Sequence, residues 1–471
     1  MTLFKRKDID MTSGPLFSRM LSFAIPLMMT NFLQTFYNAA DMIVVGLSSE
    51  GDAVGAIGTT TAFTALIVNL LIGISVGANV VVARHIGAGE KEQTSQAVHT
   101  AALVGLVIGV IGGAIGYAIT PAVMQAVGNQ GKLLELSVLY ARIYFLALPF
   151  HSLSNFAMAI HRAKGDTQTP LRVLACTGLL NVGLNLFFVL VLDMASGGVA
   201  LATGIAAAAS AIVLFCNLMR DEGDCHFSFK RLRFQAGEAK RILLIGLPAG
   251  IQSSLFAISN IVIQSSVVQV NNALADPGAA YQPVVKGNAA AANIAAFGNT
   301  ALGAAGHACV TFTSQNVGAK NYARVKRVAA RGFFLLALVG VVASAVLLLL
   351  RDPLLSLYGV KEGADELSKI CYDAAVTRAW YLWPFYILHA AMTWGSDVLR
   401  GLGKSFLATI SSLVGSCLLR IVWIYTAFRA LPTLGMIYIS YPTTWGITAL
   451  VLFLFVLHEF RKMDLKAASA A

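Results

Sequence analysis

The sequence predicts an all-α polytopic membrane protein with twelve transmembrane helices, arranged as two pseudo-twofold-related six-helix bundles around a central cavity. Three observations predict it. Of 471 residues, 57% are hydrophobic and only 12% are charged, against about 25% charged in a typical soluble domain. Apolar residues arrive in long runs, such as 101–123, 174–192, 329–350 and 447–457, and roughly 20 such residues in a helix cross the hydrocarbon core. The second half of the chain also echoes the first, in order, at three places.

Twelve spans follow from the runs, at 20–46, 54–82, 97–120, 137–160, 171–192, 199–219, 242–270, 288–314, 330–350, 374–398, 406–429 and 435–459. The first opens after a polar segment without a clear cleavage site, so it reads as a retained helix. In the third, Gly105, Gly109 and Gly113 stand four apart, a pattern that lets helices pack closely. Lys and Arg concentrate in the loops after the even-numbered spans, for example Arg162, Lys164 and Arg172, or Lys320, Arg324 and Lys326. That bias predicts that both termini lie in the cytoplasm.

The echoes define the repeat. "LSFAIPLMMTNFLQ" around Pro26 matches "LLIGLPAGIQSSLF" around Pro248. "VVARHIGAGEKEQTSQAVHTAA" matches "TFTSQNVGAKNYARVKRVAARG". "PFHSLSNFAMAIHRAKGDTQTP" matches "PFYILHAAMTWGSDVLRGLGKSF". The expected organisation is an N-terminal lobe at 1–219, a cytoplasmic linker at 220–241 and a C-terminal lobe at 242–471. Six spans per half is an even number, so both halves enter the membrane from the same side. The polar stretch 271–288 is expected to be an outer loop.

Several functions are disfavoured. The formal net charge of +11 is spread over loops between apolar runs, so no basic soluble domain is available to hold nucleic acid. Six scattered cysteines make neither a CxxC pair nor a disulfide framework. Gly73-Ile74-Ser75-Val76-Gly77 matches a hydrolase elbow but lies inside a span, not at a strand-to-helix turn. Gly403-Lys404-Ser405 ends like a phosphate loop, with Val398 in place of its first glycine. No enzyme is expected, and no cofactor beyond a coupling ion.

The segments "FYNAADMIVVG" (36–46), "GANVVVARHIGAG" (77–89) and "RAKGDTQTP" (162–170), in this order and spacing, resemble the multidrug and toxic compound extrusion (MATE) family, in its bacterial DinF-like branch. The resemblance covers nearly the whole chain. It implies a cation-coupled (proton or sodium) antiporter that exports amphipathic, often cationic, organic compounds by alternating access, as a monomer in the cytoplasmic (inner) membrane of a bacterium. Two departures stand out. The fifth helix of that branch often carries Asn and then Asp four residues later, whereas this sequence has Asn181 and Asn185. The acidic positions in the C-terminal lobe of the NorM-like branch fall on Phe256 and His389.

Residue chemistry points to the first helix. At about 100° per residue, Asn31, Gln34, Tyr37, Asn38 and Asp41 share one side, with Phe32, Leu33, Phe36, Ala39 and Ala40 on the other. A polar stripe on a spanning helix must face the bundle interior or water. Asp41 is the carboxylate placed deepest in a span, which makes it a functional candidate, with helix-packing hydrogen bonds as the alternative. Asn181 and Asn185, one turn apart, either ligate sodium with Asp41 or serve as interhelical glue.

The substrate cavity is expected to be lined by Gln34, Tyr37, Asn38, Asn155, Gln252, Asn260, Gln264 and His389. His389 either titrates as a second coupling site or is a satisfied packing residue, and His151 and His307 carry the same two readings. Asp397 and Arg400 are expected to form a local ion pair. Arg420 is expected to pair or snorkel, with a role in the cavity as the alternative. Trp380, Tyr381 and Trp383 are expected at the membrane interface. The rival transport function is flipping of lipid-linked oligosaccharides, which calls for a cationic cavity; few buried basic residues are expected.

Overall fold

The computed structural model describes residues 8–275, 281–363 and 365–470, and all regular structure among them is helical. In chain order the helices are α1 (Leu16–Val45), α2 (Ala53–Ala88), α3 (Lys91–Ala126), α4 (Gly131–Leu146), α5 (Leu148–Lys164), α6 (Gln168–Leu186), α7 (Ala195–Met219) and α8 (Ala236–Leu274). They continue with α9 (Pro283–Gly318), α10 (Tyr322–Leu349), α11 (Arg351–Leu357), α12 (Glu366–Leu382), α13 (Tyr386–Gly401), α14 (Ser405–Ser412), α15 (Leu419–Trp423) and α16 (Leu434–Ala470). Short π-helical stretches at Phe187–Val191, Leu413–Leu418 and Ile424–Phe428 extend or join α6, α14 and α15.

Among the described residues, nine of these helical segments are long and apolar enough to cross a membrane. The pair α4–α5, bent by 46°, makes a tenth. The more polar α9 and the broken pair α12–α13 occupy the remaining two expected positions, so each predicted span has a helical counterpart. The expected outer loop at 271–288 is corrected: α8 runs on to Leu274 and α9 begins at Pro283. Polar Asn271 and Asn288 cap the packing there instead, since Asn271 Oδ1 accepts from the Val284 amide and Asn288 Nδ2 donates to Gln264. Residues 276–280 of that stretch lie outside the described residues.

The chain forms two compact units. The first comprises residues up to Pro15, Ser22–Ser254 and Ser314–Asn321; the second comprises Leu16–Leu21, Leu255–Thr313 and Tyr322–Ala471.

In the first unit α5 packs against α2, α3 and α7. Glycines make these approaches possible: a Cβ at Gly109 would sit 2.7 Å from Pro149 Cα, and one at Gly113 would sit 2.6 Å from the Phe145 carbonyl. The spacing Gly73-x-x-x-Gly77 serves the same purpose, against Gly246-x-x-x-Gly250 of α8. A Cβ at Gly73 would lie 2.2 Å from Gly250 Cα, and one at Gly77 would lie 2.1 Å from the Ile242 carbonyl. Residues 220–235 are docked on this unit: Phe227 is buried and stacks on His99 at 5.1 Å, and His99 Nε2 accepts from the Ser228 amide.

In the second unit α13 packs on α10 and α16. Gly395 sits against Leu452 and Gly340 against Tyr386, where a Cβ would meet atoms at 2.7 and 3.1 Å. Trp383, expected at the interface, is instead fully buried, while Trp380 and Tyr381 are exposed. Pro384 follows it in the break between α12 and α13, and there the Ser344 hydroxyl of α10 donates to the Trp383 carbonyl.

Candidate functional site

Pro26 lies inside α1, and the hydroxyl of Thr30 donates to the Pro26 carbonyl at 2.7 Å. Around and beyond this point α1 is exposed on two opposite faces. Ile25, Met29, Phe36 and Ile43 form an apolar exposed stripe suited to lipid. Gln34 and Asn38 are exposed on the other side, at the angular position predicted for the polar stripe.

Asp41 closes that polar face. Asn185 Nδ2 of α6 donates to Asp41 Oδ1 at 2.5 Å, and also reaches Asn181 Oδ1 at 3.3 Å. Asn181 Nδ2 in turn donates to Thr203 Oγ1 of α7 at 3.3 Å, which brings Thr203 beside the Asp41 carboxylate. Three helices therefore converge on one carboxylate. Asn185 Oδ1 is buried with no hydrogen-bond partner. A carboxylate and an unused amide oxygen are hard oxygen donors of the kind that bind small cations. The π-helical stretch Phe187–Val191 begins two residues after Asn185, and such stretches often mark functional sites.

Tyr37 packs next to this cluster. Its hydroxyl donates to the Ala175 carbonyl at 3.2 Å, and its ring fills the space left by Gly178, where a Cβ would lie 1.9 Å from ring carbons. Asn155 is half-buried and donates to the His151 carbonyl of its own helix at 2.9 Å. Gln252 is buried in the first unit. In the second unit Asn260 is exposed, Gln264 accepts from Asn288 at 3.0 Å, and His389 is half-buried and stacked on Trp445 at 4.8 Å. The cluster at Asp41 thus brings three predicted residues into direct contact, while the other candidates are distributed over both units.

Sequence reasoning missed Thr203, a single hydroxyl in an alanine-rich span. It also missed a buried ionic knot at the end of α5. His161 Nδ1 meets Asp166 Oδ2 at 3.2 Å, and Lys164 Nζ meets Asp221 Oδ2 at 3.2 Å and Asp166 Oδ2 at 3.9 Å. Burial raises the Asp166 carboxyl, but hydrogen bonds from His161 and Thr169 outweigh it and hold the group below the usual carboxylate range.

Arg420 is a correction. It is only 3% exposed and, among the described residues, pairs with no carboxylate and does not snorkel; it donates to Thr444 Oγ1 at 3.2 Å and lies over the Tyr441 ring at 4.0 Å. Its position mid-span, walled by Tyr441, keeps the guanidinium from reaching water. With half-buried Arg378 over the same ring at 5.7 Å, the expectation of few buried basic residues fails locally. The expected Asp397–Arg400 pair is present at 2.8 Å.

The family model MatE matches residues 26–187 and 283–426. The chain belongs to the MatE family. The probable multidrug resistance protein YoeA of Bacillus subtilis (strain 168) is 25% identical over 92% of this MatE chain and 91% of its own length. The multidrug export protein MepA of Staphylococcus aureus (strain NCTC 8325 / PS 47) is 22% identical over 58% of this chain, which spans about 60% of MepA. The crystal structure of MATE in complex with MaL6 and the outward-facing conformation of a multidrug resistance MATE family transporter of the MOP superfamily share the fold. Their TM-scores are 0.87 and 0.86 over 98% of this chain and 100% and 99% of theirs, at 20% and 19% identity. The MatE chain is thus an all-α, multi-pass membrane protein.

Proposed function

We propose that this MatE chain is a proton- or sodium-coupled antiporter that exports amphipathic, often cationic, organic compounds by alternating access. It works as a monomer in the cytoplasmic membrane of a bacterium, with both termini inside and its two sequence repeats, 1–219 and 242–471 joined by 220–241, as the moving lobes. The observation that carries the reading is the 2.5 Å contact between Asp41 and Asn185 on a helix whose polar face is open to solvent. A carboxylate inside a span is costly and needs a function. The names of the curated relatives, both describing multidrug resistance or export, support the same class.

In this reading Asp41 holds either the coupling cation or the positive charge of the substrate, so entry of one displaces the other. Asn185 and Asn181 orient the carboxylate, and the unused Asn185 Oδ1 becomes a sodium ligand or accepts a hydrogen bond from the protonated Asp41 carboxyl. Pro26 supplies the mechanical step. A proline removes one backbone hydrogen bond and permits a bend, so a change of charge at Asp41 alters how α1 packs and empties the polar face.

The test is efflux of a fluorescent organic cation from proteoliposomes with an inward proton gradient or an inward sodium gradient imposed alone. Acceleration by one of them supports the reading and names the ion. Efflux indifferent to both contradicts it.

A further inference from the structure

The second unit holds a polar centre of the opposite charge. Arg420 on α15 is nearly fully buried, and Arg378 on α12 is half-buried. Both guanidinium groups lie over the Tyr441 ring of α16, at 4.0 Å for Arg420 and 5.7 Å for Arg378, and Arg378 also lies 5.5 Å from the Tyr438 ring. Their hydrogen bonds go to neutral groups: Arg378 donates to Asn288 Oδ1 at 2.6 Å and Arg420 to Thr444 Oγ1 at 3.2 Å. The Nε of each is buried without a hydrogen-bond partner. Among the described residues, neither arginine enters an ion pair, and the two are close enough to repel each other.

A buried charge without a counter-charge is expensive, and contact with an aromatic face offsets only part of the cost. Two such charges side by side amplify it. The backbone around Arg420 is also irregular, with π-helical stretches directly before and after α15. Guanidinium groups are planar forks matched to carboxylate and phosphate oxygens.

We propose that Arg378 and Arg420 form an oxyanion-recognition site in the second unit, which takes the carboxylate or phosphate of an amphipathic compound while the Tyr441 and Trp445 rings, 5.8 Å apart, hold its apolar body. The site concerns binding alone and stands apart from the coupling role of Asp41. It extends the compounds this protein handles from cations to acids and zwitterions.

The experiment is calorimetric titration of the full chain in phosphatidylcholine nanodiscs with 2-naphthoate, 2-naphthyl phosphate and neutral methyl 2-naphthoate. At least one acid binds saturably, and the ester binds about tenfold more weakly or worse, as loss of a charge-assisted bond implies. Arg378→Gln, at the half-buried position, weakens the acid by about tenfold while the protein still melts cooperatively. Arg420→Lys keeps a charge without the fork and also weakens it. Arg429→Gln, which removes an exposed arginine outside the site, leaves acid binding unchanged, which separates the site from a general effect of positive charge. Adding phosphatidylglycerol separates the sources: if the lipid displaces the acid, a headgroup phosphate is the natural occupant, and if it does not, a soluble acid is; either result upholds oxyanion recognition. No saturable binding of either acid, an ester that binds as tightly, or wild-type binding by Arg378→Gln overturns it.

Discussion

Asn185 holds the carboxylate of Asp41 at 2.5 Å, tying α6 to α1 at the one place where α1 carries an acidic side chain. If that bond orients Asp41 for ion exchange, Asn185→Ala lowers gradient-driven efflux by about tenfold, a loss near 1.4 kcal/mol in the barrier. Asn181→Ala acts more weakly, because Asn181 touches Asp41 only through Asn185 and Thr203. Initial efflux rates from proteoliposomes at matched protein density check the order; equal rates for Asn185→Ala and wild type would remove Asn185 from the site.

The Tyr37 ring and Gly178 are expected to behave as one unit. Gly178→Ala forces its Cβ into the ring and costs about 1–3 kcal/mol by overpacking. In a Tyr37→Ala background the same substitution costs close to nothing. A double-mutant cycle on unfolding stability in detergent measures the coupling, and additive effects would contradict the contact.

The glycine pairs Gly73–Gly77 and Gly246–Gly250 set how closely α2 and α8 approach. Gly250→Val, whose Cβ would meet the Leu70 carbonyl at 2.6 Å, destabilises by about 1–3 kcal/mol or more. Gly183→Ala, with open space around its Cβ, is the control and leaves the melting temperature nearly unchanged.

The Asp166 knot predicts a pH dependence with a definite sign. Its carboxyl is held below the usual range, so its contribution to stability is in force at neutral pH and fades only as pH falls below the ordinary aspartate value of about 4. Asp166→Asn therefore lowers the melting temperature at pH 7 and flattens the acid-side fall. His161, Lys164, Thr169 and Asp221 surround the group or its partner Lys164. Lys164→Ala removes the ammonium group that Asp166 and Asp221 share and costs about 1.5–3 kcal/mol. Melting curves from pH 2 to 8 check both.

The sequence made the twelve helices legible because length and apolarity are properties of each span by itself. The Asp41–Asn181–Asn185 grouping was legible for a similar reason: a carboxylate and an i, i+4 amide pair inside apolar runs have few places to go. Thr203 was hidden because one hydroxyl in a span satisfies itself on its own helix and says nothing of its neighbour. Arg378 was passed over in the sequence, because its meaning depends on Tyr441 and Arg420, more than 40 residues away. The stretch 271–288 was misread because Asn and Gly normally punctuate loops, whereas here Asn271 and Asn288 spend their amides on helix-to-helix bonds.

The central claim is that Asp41 couples ion entry to substrate exit. The most direct measurement is efflux of an organic cation from proteoliposomes under combined inward proton and sodium gradients, comparing wild type with Asp41→Asn. The account predicts that the gradients accelerate efflux by wild type and leave Asp41→Asn at its gradient-free rate. Equal acceleration of both proteins would contradict it and reduce Asp41 to a packing residue.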